Sequence, residues 1–179
     1  MNHSVLRIAI LGAESTGKSV LAAALAVHYQ TIWVPEYLRE FVETHQRTPY
    51  ANEQYRIAFT QREREAAGAL RAHRLLFCDT SPLMTAIYSE HYFGHVDDQL
   101  VTLAARHDYA ATIVTAPTMP WVADGLQRES DAVRQCVHAR LIRALQDAGI
   151  AYLLVDGNVQ QRVAEVARYL SVCLPDNDT

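Results

Sequence analysis

The sequence is short of lysine, cysteine, glycine and proline, and it has no excess of basic charge. Of the 16 lysines and arginines among the 179 residues, only Lys18 is a lysine. The Asn-Lys-x-Asp motif that selects guanine in GTPases needs a further lysine, so a GTPase of that type is excluded. The net charge of −4 gives no global basic field for nucleic acid, and we expect no nucleic-acid partner.

The three cysteines are odd in number and far apart in the sequence. This pattern is typical of reduced thiols and disfavours a disulfide framework or a zinc site, so we expect a cytoplasmic protein. No stretch is long and apolar enough to cross a bilayer, and with only 7 glycines and 6 prolines no linker is visible. We therefore expect residues 1–179 to form one domain without a membrane partner. The sequence does not indicate which oligomeric state the protein has.

Lys18 lies in the segment Gly-Ala-Glu-Ser-Thr-Gly-Lys-Ser at residues 12–19, which fits the phosphate-binding pattern G-x-x-x-x-G-K-[ST] at every fixed position. An apolar run precedes the segment and a helix-favouring run follows it, as strand, loop and helix should. We predict that ATP binds here, with Lys18 on its phosphates and the Ser19 hydroxyl on Mg²⁺. The predicted ATP-binding residues are Gly12, Glu14, Ser15, Thr16, Gly17, Lys18, Ser19 and Val20, with Asn158 near the adenine.

Strand and helix patterns alternate along the chain. Apolar runs at residues 5–11, 31–34, 75–78, 111–115 and 151–155 predict five parallel strands that are covered on both faces. Helices are predicted from a cap and a proline at 48–49 to residue 70, over 130–148, and after a capping box at 158–161. The predicted fold is a three-layer α/β sandwich with a doubly wound, parallel, five-stranded sheet, the P-loop NTPase fold. Its site lies at the carboxyl ends of the strands.

Two of the predicted strands end near acidic residues. Asp79 follows the run at 75–78, as expected of an aspartate that orients Mg²⁺, although a turn or cap residue is the alternative. Glu36 follows the second strand and is predicted to accept a proton from a substrate hydroxyl. Arg39, one helical turn later, is predicted to contact substrate or phosphate. The alternative for Glu36 and Arg39 is a helix cap and a surface ion pair.

The segment at about 117–134 is predicted to form a lid over the nucleotide. It carries Arg128 and Arg134, whose charges would offset the charge that develops during phosphate transfer. Trp121 would offer an aromatic face to a flat, cationic ring. The alternative is a proline-rich surface loop with solvated arginines.

Several segments together are more specific than the phosphate loop. They are residues 12–19, Val-Pro-Glu-Tyr-Leu-Arg-Glu at 34–40, Gln61, Cys-Asp-Thr at 78–80 and Pro-Trp-Val-Ala-Asp-Gly at 120–125. In this order, and over nearly the whole chain, they resemble the nicotinamide riboside kinase domain of the NadR family. The resemblance implies ATP-dependent phosphorylation of the ribose 5′-hydroxyl of nicotinamide riboside.

The resemblance also implies roles for single residues. Lys18 and Ser19 would serve ATP and Mg²⁺, and Glu36 and Asp79 would be the acid/base and metal-orienting groups. The predicted catalytic residues are Lys18, Glu36, Asp79, Arg128 and Arg134. The predicted substrate-binding residues are Glu36, Tyr37, Arg39, Tyr55, Gln61, Tyr88, Trp121 and Asp124.

Two classes of function stay open from the sequence. The first is a small-molecule kinase, acting on nicotinamide riboside or on another nucleoside or nucleotide. The second is a nucleotide-binding ATPase or regulatory module without acceptor chemistry. Hydrolases usually place a glutamate directly after the metal aspartate, and Thr80 stands there instead, which favours a kinase. Arg128 stands one residue later than the family pattern Asp-Gly-Leu-Arg, which favours the second class or a larger role for Arg134.

Overall fold

A five-stranded parallel sheet forms the centre of the computed structural model, which describes residues 5–120 and 130–174. The strands have the spatial order β2-β3-β1-β4-β5, so the first strand lies in the middle. Their bounds are β1 Leu6–Leu11, β2 Ile32–Val34, β3 Leu75–Asp79, β4 Ala111–Thr115 and β5 Leu153–Val155. All the strands point the same way, and the loops that follow them therefore meet at one edge of the sheet.

Helices cover both faces of the sheet. They are α1 Lys18–His28, α2 Tyr37–His45, α3 Gln54–Ala69, α4 Pro82–Phe93, α5 Asp98–Ala105, α6 Asp131–Asp147 and α7 Val159–Cys173. Alternate residues of β1 enter different cores: Ile8 and Ile10 pack with α1 and α7, whereas Ala9 and Leu11 pack with α4 and α6. The predicted three-layer, doubly wound α/β fold is confirmed. Because the strands are buried on both sides, their sequences are apolar throughout instead of alternating.

The helix predicted from residues 48–49 starts later than expected. A 3₁₀ turn at Ala51–Glu53 comes first, and α3 begins at Gln54. The Glu53 carboxylate accepts a hydrogen bond from the backbone N–H of Tyr50 at 2.8 Å and pairs with Arg47 at 2.7 Å. These contacts stabilise the turn and delay the helix, so the predicted start was wrong. The predicted capping box of the last helix is confirmed, with Asn158 and Gln161 bonded reciprocally.

A buried charged cluster joins α3 to the amino-terminal ends of β1 and β4. The Glu65 carboxylate is fully buried, accepts a hydrogen bond from the Tyr109 hydroxyl at 2.9 Å, and pairs with Arg62 at 2.8 Å and Arg7 at 3.8 Å. Both arginines also pair with Asp108. Burial raises the pKa of Glu65 to about 7, although the two arginines and the tyrosine oppose the shift.

No helix within the described ranges combines the length and apolar character that a bilayer crossing requires.

Candidate active site

The loop between β1 and α1 has positive φ angles at two glycines, in a region of backbone angles that favours glycine. Gly12 has φ +153° and Gly17 has φ +82°. A Cβ on Gly12 would lie 2.8 Å from Thr16 Oγ1 and 3.1 Å from the carbonyl oxygen of Thr115. The loop therefore packs directly against the end of β4, and both glycines of the phosphate-binding pattern have a structural reason.

Thr16 closes this loop from within. Its side chain is fully buried, and Oγ1 donates to the carbonyl of Ala13 at 2.8 Å and lies 2.6 Å from Thr115 Oγ1. Thr115 Oγ1 in turn donates to the carbonyl of Leu11 at 3.2 Å. Because this hydroxyl is bonded to protein, an ATP contact from Thr16 would come from its backbone.

Lys18 and Ser19 begin α1 at the mouth of the loop. Lys18 Nζ donates to the carbonyl of Ala13 at 3.0 Å, and Ser19 Oγ donates to Asp79 Oδ2 at 2.5 Å. Asp79 is only 1% exposed, and its other oxygen has no hydrogen-bond partner in the described part of the chain. Burial raises the pKa of Asp79, and Lys18, Ser19 and Arg39 oppose that shift. A buried, unpartnered carboxylate oxygen beside a hydroxyl is the hard oxygen donor set that suits Mg²⁺, so the residues fit this metal.

Glu36 lies between the end of β2 and the start of α2. It occupies the position before Tyr37, with extended backbone angles, but its side chain makes no capping hydrogen bond. Burial raises the pKa of Glu36; the positive charges of Lys18 and Arg39 lower it, and the negative charge of Asp79 raises it. These four side chains therefore share one electrostatic environment. The capping alternative for Glu36 does not describe this structure.

Gln61 links the two strand ends that carry the acidic residues. From α3, its Oε1 accepts a hydrogen bond from the backbone N–H of Tyr37 at 2.8 Å, and its Nε2 donates to the carbonyl of Asp79 at 3.3 Å. Gln61 is 2% exposed. Its amide is thus bonded to backbone at both ends, so Gln61 acts as a strut between the two segments, and its substrate contact stays a prediction.

Glu14 and Tyr88 lie on the Glu36 side of the cluster. The Tyr88 hydroxyl donates to Glu14 Oε2 at 2.8 Å, and Glu14 Oε1 is buried without a hydrogen-bond partner among the described residues. Burial raises the pKa of Tyr88 well above its usual value, and Glu14 and Glu36 add to the shift. The Tyr88 ring stacks on Tyr92 with centroids 6.0 Å apart. The Glu14 side chain therefore extends from the phosphate loop to Tyr88 on α4.

Several other predicted site residues are engaged elsewhere. The Tyr37 ring lies under the Arg64 guanidinium at 4.5 Å, and the Tyr55 ring lies 5.7 Å from that of Phe59. The Val20 side chain is exposed on α1, so an ATP contact from Val20 would come from its backbone.

Asn158 uses its side-chain oxygen to cap α7, accepting from Gln161 N at 2.9 Å. The Ser15 hydroxyl is buried in the loop, without a hydrogen-bond partner in the described ranges. Contacts of both residues with ATP stay predictions.

Arg134 differs from the expected mobile lid residue. It is 3% exposed, its Nε donates to Asp131 Oδ1 at 2.8 Å, and its Nη1 donates to the carbonyl of Met119 at 2.8 Å. These bonds hold the chain that leaves β4, so Arg134 anchors the base of the segment at 117–134. The other predicted residues of this segment lie outside the described residues: Trp121, Asp124 and Arg128.

Arg162 contacts the phosphate loop, although the sequence patterns did not predict it as a site residue. It projects from α7, is 2% exposed, and its Nη1 donates to the carbonyl of Thr16 at 2.6 Å. The sequence pattern that indicates it is an arginine on the same helical face as the buried Val166 and Leu170. A charged side chain on a buried face needs a specific partner to offset the cost of its burial.

The sheet order and the phosphate loop, whose Ser19 is hydrogen-bonded to Asp79, define the class of protein. It is a P-loop protein with a nucleotide-binding kinase fold. The chain belongs to the AAA domain family, whose model matches residues 7–162.

Curated relatives agree with the resemblance predicted from the motifs, which is confirmed. The chain is 27% identical over 160 residues to the trifunctional NAD biosynthesis/regulator protein NadR of Salmonella typhimurium strain LT2, covering 84% of this chain. It is also 27% identical to the NadR protein of Escherichia coli strain K12, covering 85% of this chain. The chain spans only 38% of the length of these relatives.

Solved structures share the fold. A NadR protein in complex with NAD and AMP-PNP matches with a TM-score of 0.80 and 18% identity, covering 99% of this chain and 52% of that one. A NadR protein in complex with NR matches with a TM-score of 0.79 and 20% identity, covering 94% and 52%. Deoxyadenosine kinase from M. mycoides matches with a TM-score of 0.66 and 12% identity, covering 93% and 100%.

Proposed function

We propose that the protein is an ATP-dependent kinase that phosphorylates the ribose 5′-hydroxyl of nicotinamide riboside, giving nicotinamide mononucleotide. The observation that carries the proposal is the position of Glu36, a carboxylate with a raised pKa in the same charged environment as Lys18 and Asp79. A proton acceptor beside a phosphate loop is what transfer to an alcohol requires. The NAD biosynthesis role in the names of the relatives and the NR-bound structural neighbour support the choice of acceptor.

The phosphate side of the proposed reaction uses the loop and the start of α1. Backbone N–H groups of residues 12–19 would bind the phosphates of ATP, and Lys18 would balance charge on the transferred group. Ser19 and Asp79 would hold Mg²⁺, which supplies charge neutralisation on the β- and γ-phosphates when bound.

The acceptor side uses the carboxylates. Glu36 takes the proton of the ribose hydroxyl while the hydroxyl oxygen bonds to the γ-phosphorus. The bond between that phosphorus and ADP breaks in the same step. Lys18 and Arg39 oppose the burial-raised pKa of Glu36 and so favour the ionised form that accepts the proton. Gln61 fixes the separation of the backbone segments that carry Glu36 and Asp79.

The charge and rings around Glu36 suit a cationic acceptor. Glu14 and Glu36 are both close enough to raise the pKa of Tyr88, whose ring stacks on that of Tyr92. Nicotinamide riboside carries a positively charged, flat ring, and carboxylates with aromatic faces attract such a group.

An acceptor panel tests the proposal. Purified protein with ATP and Mg²⁺ is incubated with nicotinamide riboside, adenosine, uridine, deoxyadenosine or thymidine, and ADP release and product mass are measured. We expect the highest kcat/KM with nicotinamide riboside and a product heavier by one phosphate. Preference for another nucleoside would overturn the acceptor assignment. ADP release that is equal with and without every acceptor would instead favour an ATPase or regulatory module.

A further inference from the structure

The guanidinium of Arg162 is buried behind the phosphate loop, and burying its charge costs free energy. Its Nε and Nη2 have no hydrogen-bond partner among the described residues, and the nearest carboxylate oxygen, Asp156 Oδ1, is 3.9 Å from Nη2. A buried cation with incomplete hydrogen bonding opposes folding unless another gain offsets it. The one short bond that Arg162 makes in the described ranges is to the carbonyl of Thr16.

That bond fixes the direction of a peptide unit in the loop. The chain has no cis peptide among the described residues, so the Thr16 carbonyl and the Gly17 N–H point in opposite directions. Because Arg162 holds the carbonyl on the α7 side, the Gly17 N–H is turned away from α7. Inward-pointing N–H groups are what a phosphate loop uses to bind its anion.

The charge of Arg162 strengthens the same peptide as a donor. A cation bonded to a carbonyl polarises the peptide, and the N–H at its other end becomes a better hydrogen-bond donor. The guanidinium packs closely on this peptide, because a Cβ added to Gly17 would lie only 3.2 Å from Arg162 Nη1.

We propose that Arg162 is a positioning residue that orients and polarises the Thr16–Gly17 peptide for the phosphates of ATP. The proposal rests on the proposed function and deepens it on its ATP side: the AMP-PNP arm of its test does not depend on which acceptor is phosphorylated, whereas the nicotinamide riboside arm does. Asp156 supports the arrangement: its Oδ1 accepts from Gly157 N at 2.6 Å and from the Thr118 hydroxyl, and so ties Arg162 to the chain that leaves β4.

Calorimetric titration with AMP-PNP and Mg²⁺ tests the proposal on Arg162→Gln and Arg162→Lys. Arg168→Gln is the matched control, because Arg168 lies exposed on the same helix. We expect Arg162→Gln to weaken AMP-PNP binding about tenfold and Arg162→Lys about threefold, since the lysine restores the charge and one donor. The control should bind as the wild type does, and nicotinamide riboside should bind all variants alike.

Two results would overturn the proposal. One is AMP-PNP affinity in Arg162→Gln within about twofold of the wild type. The other is an equal loss in Arg162→Gln and Arg162→Lys with a matching loss of nicotinamide riboside affinity, because that marks a purely structural role. If Arg162→Gln does not fold, Arg162→Lys decides: weaker AMP-PNP binding at an unchanged unfolding temperature supports the proposal, and unchanged binding refutes it. If the protein phosphorylates no nucleoside, AMP-PNP binding to the variants can still be measured. Failure of the proposed function is therefore distinguishable from failure of the proposal for Arg162.

Discussion

Lys18→Met is expected to reduce phosphate transfer by removing the only ammonium from the site. Lys18 Nζ lies 3.0 Å from the carbonyl of Ala13, which holds it over the phosphate loop. Its charge is also the largest influence that opposes the burial-raised pKa of Glu36. One substitution therefore acts on both sides of the reaction.

The magnitude follows from the partly buried position of this charge. A unit charge pair at about 4 Å interacts by about 4 kcal/mol at an effective dielectric of about 20. Loss of one preorganised donor typically costs about 3 to 4 kcal/mol of transition-state stabilisation. We therefore expect kcat/KM to fall on the order of a hundredfold to a thousandfold.

The second consequence is a change in the pH dependence. Glu36 must be ionised to accept a proton, so activity falls as the pH drops through its pKa. Since Lys18 lowers that pKa, Lys18→Met should move the acidic limb of the kcat profile to higher pH.

Steady-state ADP release across pH measures both effects. Arg143→Met serves as a control for the loss of one positive charge, because Arg143 is exposed in the second half of α6, which runs away from the carboxyl ends of the strands. Transfer by Lys18→Met within about threefold of the wild type would refute the assignment of Lys18. An unmoved acidic limb would refute its coupling to Glu36.

Three further substitutions test separate parts of the structure. Glu36→Gln should lower kcat on the order of a hundredfold or more while AMP-PNP affinity in calorimetry changes by less than about twofold, because a proton acceptor is lost and the phosphate loop is untouched. Gly12→Ala should abolish AMP-PNP binding and lower the thermal unfolding temperature, because its φ of +153° is strained for alanine and the methyl would crowd Thr16 and Thr115. Wild-type Glu65 has a folded pKa of about 7, raised above the 4.5 of the unfolded chain, so its contribution to stability is complete below pH 4.5 and is lost as the pH rises to about 7. Relative to Glu65→Gln, the free energy of unfolding of the wild type should therefore fall by about 3 kcal/mol across that range in urea titrations.

Each of these three has a contrary outcome. Equal losses of kcat and AMP-PNP affinity in Glu36→Gln would make Glu36 structural. Retained AMP-PNP binding in Gly12→Ala would show that the loop tolerates a side chain. Parallel pH dependence of the wild type and Glu65→Gln would mean that folding does not raise the pKa of Glu65.

The features that local patterns encode were predictable from the sequence. The phosphate loop is contiguous, the doubly buried strands are apolar throughout, and the Asn158 capping box spans four residues. The closeness of Asp79 and Glu36 to Lys18 was predictable because parallel strands bring their carboxyl ends together, so a position at or just after the end of a strand is enough to place a residue there.

The features that depend on distant contacts were not predictable. The start of α3 is set by the Arg47 and Glu53 pair, which competes with the proline signal at 48–49. Arg134 was expected over the phosphates, but its bonds to Asp131 and to the Met119 carbonyl require the packed base of α6. Arg162 reaches Thr16 across 146 residues, which no local pattern records.

The Gln61 strut has a chemical consequence beyond holding two loops. Its carboxamide carries no ionisable proton, so the bonds to Tyr37 N and to the Asp79 carbonyl persist whatever the charge on the neighbouring acids. The spacing of Glu36 and Asp79 is thereby insulated from the proton that Glu36 takes from the substrate hydroxyl in the proposed reaction. A glutamate at position 61 would bring a third ionisable acid into that spacing and make the geometry depend on pH.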